Sequence, residues 1–472
     1  MTIPFGFGSY RIAEGDATHE AALRHALDRG ITLIDTSTNY SDGASEMLIG
    51  RVLLDHPHAA NVELVTKAGY IQGTTLDRAQ ARIQNGDPFP EVVQVQESLW
   101  HCIAPEFLED QLAASMRRLQ RTSINVLLLH NPEYFLLDAH QRGMPIDDAR
   151  RHFYRRIRNA FQFLEECVID GRIGSYGISS NTFPCEPDDP GFCSLEECLA
   201  IAERVAGHEH HFRTIQLPMN IIEHHAATVC NQQDRSTTVL ELASERALRV
   251  LVNRPLNGVI EDDLIRLATH PLPATMPLPD EVDARIHALE IEEHQAAQLV
   301  LQTLQGDGKE AAAVQETFKV AAALCQSWRS FSGLPHWNDI VSMYLQPRIH
   351  VMQRYVANAS DPVAMQHYMD GLQAVLDDIT ALYSHEENLS LAELRTMLAD
   401  ECGMPLDAPL QHIALQAVRC TAGVSVVLVG MRTPAYVDDV LASLELPPIS
   451  LHRASWLRIV EHLARLSEQG AA

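Results

Sequence analysis

Residues 124–130 read Ile-Asn-Val-Leu-Leu-Leu-His, a short apolar run with β character that ends in a polar side chain. The same pattern recurs along the chain. Ile31-Thr32-Leu33-Ile34-Asp35 precedes it, as does Val62-Glu63-Leu64-Val65-Thr66-Lys67. Ile173 to Ile178, Thr214 to Leu217, Leu248 to Asn253 and Val424 to Gly430 follow, and a first strand is expected near Phe5 to Ser9. Amphipathic helical stretches lie between these runs: His19 to Arg29, Glu46 to Leu54, Phe107 to Gln120, Ala160 to Ile169, Ser194 to Ala206 and Val239 to Arg246. Apolar strands alternating with helices imply a parallel sheet buried beneath them. Eight such units predict an α/β fold, a (β/α)8 TIM barrel, although periodicity alone also fits a doubly wound sheet.

The alternation is interrupted once. Residues 261–406 read as helices without strands: Glu281 to Leu304, Glu310 to Trp328, Asp339 to Val356, Pro362 to Tyr383 and Leu391 to Asp400. Gly306-Asp307-Gly308 and Gly333-Leu334-Pro335 supply breaks. Barrel character resumes with a helix at Gln411 to Cys420. The predicted organisation is therefore a barrel over 1–260 and 407–472, with a helical insertion at 261–406 after strand seven. Barrel chemistry collects at the C-terminal ends of the strands. An insertion leaving from there is expected to act as a lid or an interface; a purely stabilising bundle is the alternative.

The strand ends carry Asp35, Lys67, His130, Ser179, Gln216 and Asn253. Carbonyl reduction needs an acid beside the carbonyl oxygen and a hydride donor beside its carbon. Tyr40 is a suitable acid, but a phenol of pKa about 10 is a reluctant one. A Lys67 ammonium nearby stabilises the phenolate, Asp35 holds the ammonium, and a neutral His130 directs the carbonyl oxygen.

Longer motifs surround these residues. They are Gly6-Phe7-Gly8-Ser9-Tyr10, Ile34-Asp35-Thr36-Ser37-Thr38-Asn39-Tyr40, Ser45-Glu46-Met47-Leu48-Ile49-Gly50 and Thr66-Lys67-Ala68-Gly69. Leu128-Leu129-His130-Asn131-Pro132, Gly177-Ile178-Ser179-Ser180-Asn181 and Gln216-Leu217-Pro218-Met219-Asn220 follow in order. In this series the chain resembles the aldo-keto reductases, over about residues 4–260 and 407–445. The resemblance implies a catalytic set of Asp35, Tyr40, Lys67 and His130. It also implies a nicotinamide cofactor held by Gly8, Ser9, Tyr10, Asp35, Ser179, Asn181 and Gln216, with Ser180 competing with Asn181 for its place. Asn253 or Arg254 falls where many members place an aromatic that stacks on the nicotinamide ring, and Leu256 is expected at the cofactor with them. Gly430-Met431-Arg432 opens a helix suited to a phosphate, and Arg432 favours NADP(H) over NAD(H). Many members have a Glu-Asn pair a turn later, where this chain has Asp439-Val440.

Composition narrows the partners. Of 472 residues, 36 are Lys or Arg and 62 Asp or Glu, a formal charge of −26. That field repels phosphate backbones, so nucleic acid is not an expected partner. No run suits a membrane span or a targeting segment. Nine cysteines without a regular framework fit reduced thiols and a cytoplasmic location. Cys185, Cys193, Cys198, His208, His210 and His211 match no paired metal-ligand spacing, and no metal is expected. The expected partners are a small carbonyl or alcohol substrate and, at most, further copies of the chain. The second functional reading is a cofactor-binding barrel with a regulatory or partner-binding role through its insertion.

Overall fold

The computed structural model describes residues 3–260, 263–303, 308–356 and 359–468. Eight parallel strands close a barrel. In chain order they are β1 (Phe5–Gly8), β2 (Leu33–Asp35), β3 (Glu63–Ala68), β4 (Ile124–His130), β5 (Ile173–Ser179), β6 (Phe212–Pro218), β7 (Arg249–Asn253) and β8 (Val426–Val429). Phe7 of β1 pairs with Ile34 of β2 and with Val429 of β8, which joins the two ends of the sheet. Closure excludes the doubly wound alternative. Leu33, Val65, Val126, Leu128, Leu251 and Leu428 fill the interior. Gly6 makes room there: a Cβ on it would sit 2.6 Å from Leu33 Cδ2 and 2.8 Å from Leu428 Cδ2.

The barrel helices start where local chemistry directs them. Asp16 accepts from the backbone N–H groups of Thr18 (2.8 Å) and His19 (3.1 Å) to begin α1 (Ala17–Asp28). Thr238 and Glu241 form a reciprocal capping box at Val239–Glu245. The helix before β5, Ile146–Ile169, is longer than the predicted Ala160 to Ile169, because its apolar stripe starts about three turns earlier, with Ala149, Phe153 and Ile157 buried. Between β3 and the helix Pro105–Leu119 lies an unpredicted addition. There a small antiparallel sheet of Tyr70–Ile71, Leu99–His101 and Val93–Gln96 packs Trp100 against Phe107 and Phe89.

The chain divides into two compact units, Met1–Ala268 with Arg395–Arg465, and Thr269–Leu394 with Leu466–Ala472. These bounds differ from the predicted ones. Position 261 itself lies outside the described residues. Around it, Asn257–Ile260 pairs with Asp263–Arg266 as a hairpin, and the first unit runs on to Ala268. On the return, Glu401 pairs with His462 at 2.9 Å, which ties this stretch to the C-terminal helix.

The second unit is helical. Its core includes Ile286, Leu289, Trp337, Tyr368, Leu372 and Ile379. The single helix predicted over 310–328 is two, Gly308–Thr317 and Val320–Ser327. The cause is the buried Glu293, whose carboxylate accepts from the backbone N–H groups of Val320 (2.8 Å) and Ala321 (3.1 Å) and caps a new helix start. Residues 334–356 run as Leu334–Ile340, a π-helical turn and Gln346–Val356. The expected break at Gly306-Asp307 lies outside the described residues.

Candidate active site

The strand ends converge. His130, Ser179, Gln216 and Leu251 share one rung of the barrel across β4 to β7. Lys67 is fully buried inside it, and its ammonium donates to Asp35 Oδ2 (2.7 Å), the Thr36 carbonyl (2.6 Å) and Tyr40 Oη (3.2 Å). Gln216 Nε2 donates to the other Asp35 oxygen at 2.7 Å. The Tyr40 ring lies edge-on to His130, with centroids 6.0 Å apart.

The loop carrying Tyr40 is bent sharply just beyond it. Ser41, Asp42 and Gly43 have φ values of 49°, 52° and 87°, a left-handed run in which short polar residues and glycine are tolerated. Asp42 pins this turn by accepting from the Thr74 N–H (3.1 Å) and hydroxyl (3.0 Å). Gly69 brings β3 close to the histidines, since a Cβ there would meet the His130 carbonyl oxygen at 2.5 Å. That same oxygen lies 2.7 Å from His101 Nε2.

An ammonium has donors and no acceptor, so Tyr40 Oη accepts from Lys67 and keeps its own proton for another partner. Burial pushes the Tyr40 phenol up, and the Lys67 charge pulls it down without cancelling that. The ammonium thus acts in the expected direction, but desolvation outweighs it. Burial also raises Asp35 against the pull of Lys67. For Lys67 burial disfavours the charge, while Asp35 and Tyr40 together overcome it and hold the ammonium. His130 is driven well below its usual value by burial, then by Lys67 and His101, so its imidazole is neutral.

The residues expected at the cofactor are placed unevenly. Ser179 Oγ donates to Gln216 Oε1 (3.0 Å), and Asn253 Nδ2 reaches the same oxygen at 3.2 Å. The buried Asn253 Oδ1 has no partner among the described residues, which leaves an acceptor for an amide N–H. Asn181 is exposed; its backbone N–H donates to Glu133. Ser180 is buried and is engaged with Thr182. Ser9 is buried and accepts from Ser45 Oγ at 2.9 Å, and Gly8 lies tight against Val429. Tyr10 is exposed, with its ring edge-on to Tyr40 at 5.1 Å. Leu256 is half-buried, and its carbonyl accepts from Leu267.

Three of the expected residues are otherwise occupied. Arg254 has a φ of 54° and pairs with Glu223 at 2.8 Å. The Met431 side chain is wholly buried. Asp439 is held by His412 at 2.8 Å, which lowers its carboxyl, so its charge is spent on a neighbouring helix. Arg432 stands differently. Burial lowers Arg266; Tyr436 opposes that, and the charges of Arg432 and Arg11 add to it. A Cβ on Gly430 would meet open space, which leaves the backbone there accessible. Arg11 adjoins the expected Gly8-Ser9-Tyr10 and was readable on that ground; Arg266 and His101 had no signal in the sequence.

Comparisons with known proteins point to one family. Residues 4–185 match the sequence profile of the Aldo/keto reductase family. Human aflatoxin B1 aldehyde reductase member 2 is 27% identical over 146 residues, 31% of this chain and 31% of that protein. The aldo-keto reductase AMT2 of Alternaria alternata is 33% identical over 114 residues, 23% of this chain and 30% of that protein. The chain thus spans about a third of the length of these curated relatives. The solved glycerol dehydrogenase AKR11B4 of Gluconobacter oxydans superposes with a TM-score of 0.47 at 16% identity, covering 98% of this chain and 91% of that one. The barrel assignment rests on the strand order rather than on that overlay. The stretch that matches the family, residues 4–185, is the one that carries Asp35, Tyr40, Lys67 and His130.

Among the described residues no three His, Cys, Asp or Glu side chains are grouped to hold a metal, and no helix is long and apolar enough to cross a membrane.

Proposed function

We propose that the chain is a nicotinamide-dependent oxidoreductase that interconverts an aldehyde or ketone and the corresponding alcohol. The observation that carries this reading is the arrangement around Lys67, which donates to both Asp35 and Tyr40 and leaves the Tyr40 proton free to be given away. Tyr40 is the general acid in reduction and the base in oxidation. Lys67 stabilises its phenolate, and Asp35, itself held by Gln216, keeps Lys67 charged and in place. His130, neutral and beside Tyr40, orients the carbonyl oxygen. A bound nicotinamide would supply the hydride. Ser179, Gln216 and the free Asn253 Oδ1 fit its carboxamide, and Arg432, beside the open backbone of Gly430, fits a phosphate and favours NADP(H) over NAD(H). Titration with NADPH and NADH by fluorescence, followed by a panel of carbonyls and alcohols, tests this. Binding of neither cofactor would refute it.

The domain reading belongs here too. Residues 269–394 interrupt the chain between β7 and the helix before β8, where barrel enzymes build specificity. We assign this unit a role in substrate choice. Replacing it with a short linker should leave cofactor affinity intact and change the substrate profile; an identical profile and identical rates would assign it to stability alone.

A further inference from the structure

We propose that Ser37 decides which ring nitrogen of His130 carries the proton, as the near link of a hydrogen-bond chain running His130, Ser37, Asn39, Gln72. The inference deepens the oxidoreductase reading and rests on it. Ser37 Oγ lies 3.0 Å from His130 Nδ1, and both residues are buried. The same hydroxyl lies 2.7 Å from Asn39 Oδ1, and Asn39 Nδ2 lies 3.0 Å from Gln72 Oε1. Ser37 Oγ is also 3.2 Å from the Lys67 carbonyl, which can only accept.

A neutral imidazole has one N–H, so its two nitrogens have opposite roles. A hydroxyl has one proton to give and two lone pairs to receive with, so the Ser37 proton goes either to His130 Nδ1 or to one of its other acceptors, Asn39 Oδ1 and the Lys67 carbonyl. Two outcomes follow for the histidine. In the first, the Gln72 amide donates to the Asn39 carbonyl, the Asn39 amide to Ser37 and the Ser37 hydroxyl to His130 Nδ1. The His130 proton is then on Nε2. In the second, His130 Nδ1–H donates to Ser37, the Ser37 proton goes to Asn39 or the Lys67 carbonyl, and Nε2 is left with a bare lone pair. The amide orientations in the structure follow the second polarity. A half-turn of the Asn39 and Gln72 amides, whose oxygen and nitrogen ends have nearly the same shape, removes the Asn39 acceptor and permits the first.

Only the first polarity suits the reaction. A carbonyl oxygen has no proton to give, so a bare Nε2 lone pair would repel it, whereas Nε2–H would hold it. Ser37 does not touch the substrate in this scheme. It is a positioning residue that acts through the histidine ring, much as the partner of a metal-bound histidine sets its tautomer.

The test is ¹⁵N spectroscopy of the histidine rings in the full chain with NADPH, with a His130→Gln sample to identify the signal. In the wild type the proton is expected on Nε2, as a single tautomer. In Ser37→Ala the two ring nitrogens should move towards averaged shifts, and kcat should fall about tenfold, the size of one lost hydrogen bond. Cofactor affinity should not change. Ser37→Thr, which keeps the hydroxyl, should restore both the shifts and kcat. Unchanged His130 shifts in Ser37→Ala would overturn the inference, as would a wild-type proton on Nδ1. So would a Ser37→Thr variant as slow as Ser37→Ala with a normal spectrum, because that loss would be one of packing. The spectrum needs no turnover. If Ser37→Ala moves the tautomer but no carbonyl is ever reduced, tautomer control stands and the oxidoreductase reading falls.

Discussion

Tyr40 in the first unit and Tyr368 in the second each sit beside a buried charge, and they face opposite prospects. Tyr40 in the barrel accepts a hydrogen bond from the Lys67 ammonium. Tyr368 in the helical unit donates to the Glu293 carboxylate at 2.7 Å. Both lose solvation of their phenolate on burial, and both are raised for that reason first. The neighbours then act in opposite senses: the ammonium pulls Tyr40 back down, and the carboxylate pushes Tyr368 further up. Tyr368 has also spent its proton on Glu293, while Tyr40 has not. On the proposed mechanism, what separates the two phenols is the sign of the adjacent charge and the direction of one hydrogen bond, since both are buried.

The largest expected effect breaks the barrel half of that comparison. Tyr40→Phe removes only the hydroxyl, so turnover should fall by roughly 10²–10⁴, the usual worth of a positioned general acid. Cofactor affinity should stay nearly unchanged. The pH dependence has a definite sign. Reduction needs protonated Tyr40, so its rate should fall only as pH rises through the raised phenol value, above the ordinary 10. His130 is neutral through the same range and should add no break near its ordinary 6.5. Near-normal turnover in Tyr40→Phe, measured on a good substrate, would dispose of the mechanism.

Lys67→Met tests the charge itself. It removes the pull on Tyr40 and leaves Asp35 buried with Gln216 as its remaining side-chain donor. Breaking a buried pair on one side costs about 3–5 kcal/mol, so chemical denaturation should show a loss of that order alongside severe loss of turnover. If stability fell while turnover held, Lys67 would be a structural cation only.

How far the sequence foretold these arrangements differs between the units for a physical reason. The eight strands were readable because most are short β-rich runs with an apolar centre and a polar end, and the convergence of Asp35, Tyr40, Lys67 and His130 was readable because the fold puts strand ends together. The motif Ser45-Glu46 was legible too, but its work is structural: Glu46 accepts from Thr66, Ser115 and Arg118, each at 2.7 Å. What stayed hidden depends on side chains far apart in sequence. Ser37 lay in plain view between Asp35 and Tyr40, but its partner His130 is 93 residues away. Arg266 belongs to a hairpin that reads as the start of the helical stretch. Glu293, in a helix of many acidic residues, gave no sign that it would be buried and split the following helix in two.

The phosphate end of the barrel supplies a smaller effect. If Arg432 contacts a 2′-phosphate, Arg432→Ala should weaken NADPH by about 1.5–3 kcal/mol and NADH far less, since a charge-assisted hydrogen bond is lost. Arg266→Ala should weaken either cofactor less than Arg432→Ala weakens NADPH, because its charge is already disfavoured by burial and by the other two guanidiniums. Fluorescence titration reads both. Equal weakening of NADPH and NADH by Arg432→Ala would remove the reason for preferring NADP(H).

The smallest effect is expected from the other tyrosine. Tyr368→Phe takes one hydrogen bond from Glu293 but leaves the backbone donors of Val320 and Ala321 in place. The carboxylate therefore stays partnered, and the variant should lose only about 0.5–1.5 kcal/mol, the net worth of one hydrogen bond. Turnover should be unchanged, because this phenol carries no proton for any reaction. Glu293→Ala, by contrast, should unsettle the start of Val320–Ser327, because it removes the side-chain acceptor that caps those N–H groups. Thermal unfolding of the two variants beside Tyr40→Phe completes the comparison. Tyr40→Phe should be slow and stable, and Tyr368→Phe active and slightly less stable. If Tyr368→Phe instead lost turnover while remaining folded, the helical unit would contribute to the chemistry, and neighbouring charge would not be what separates the two tyrosines.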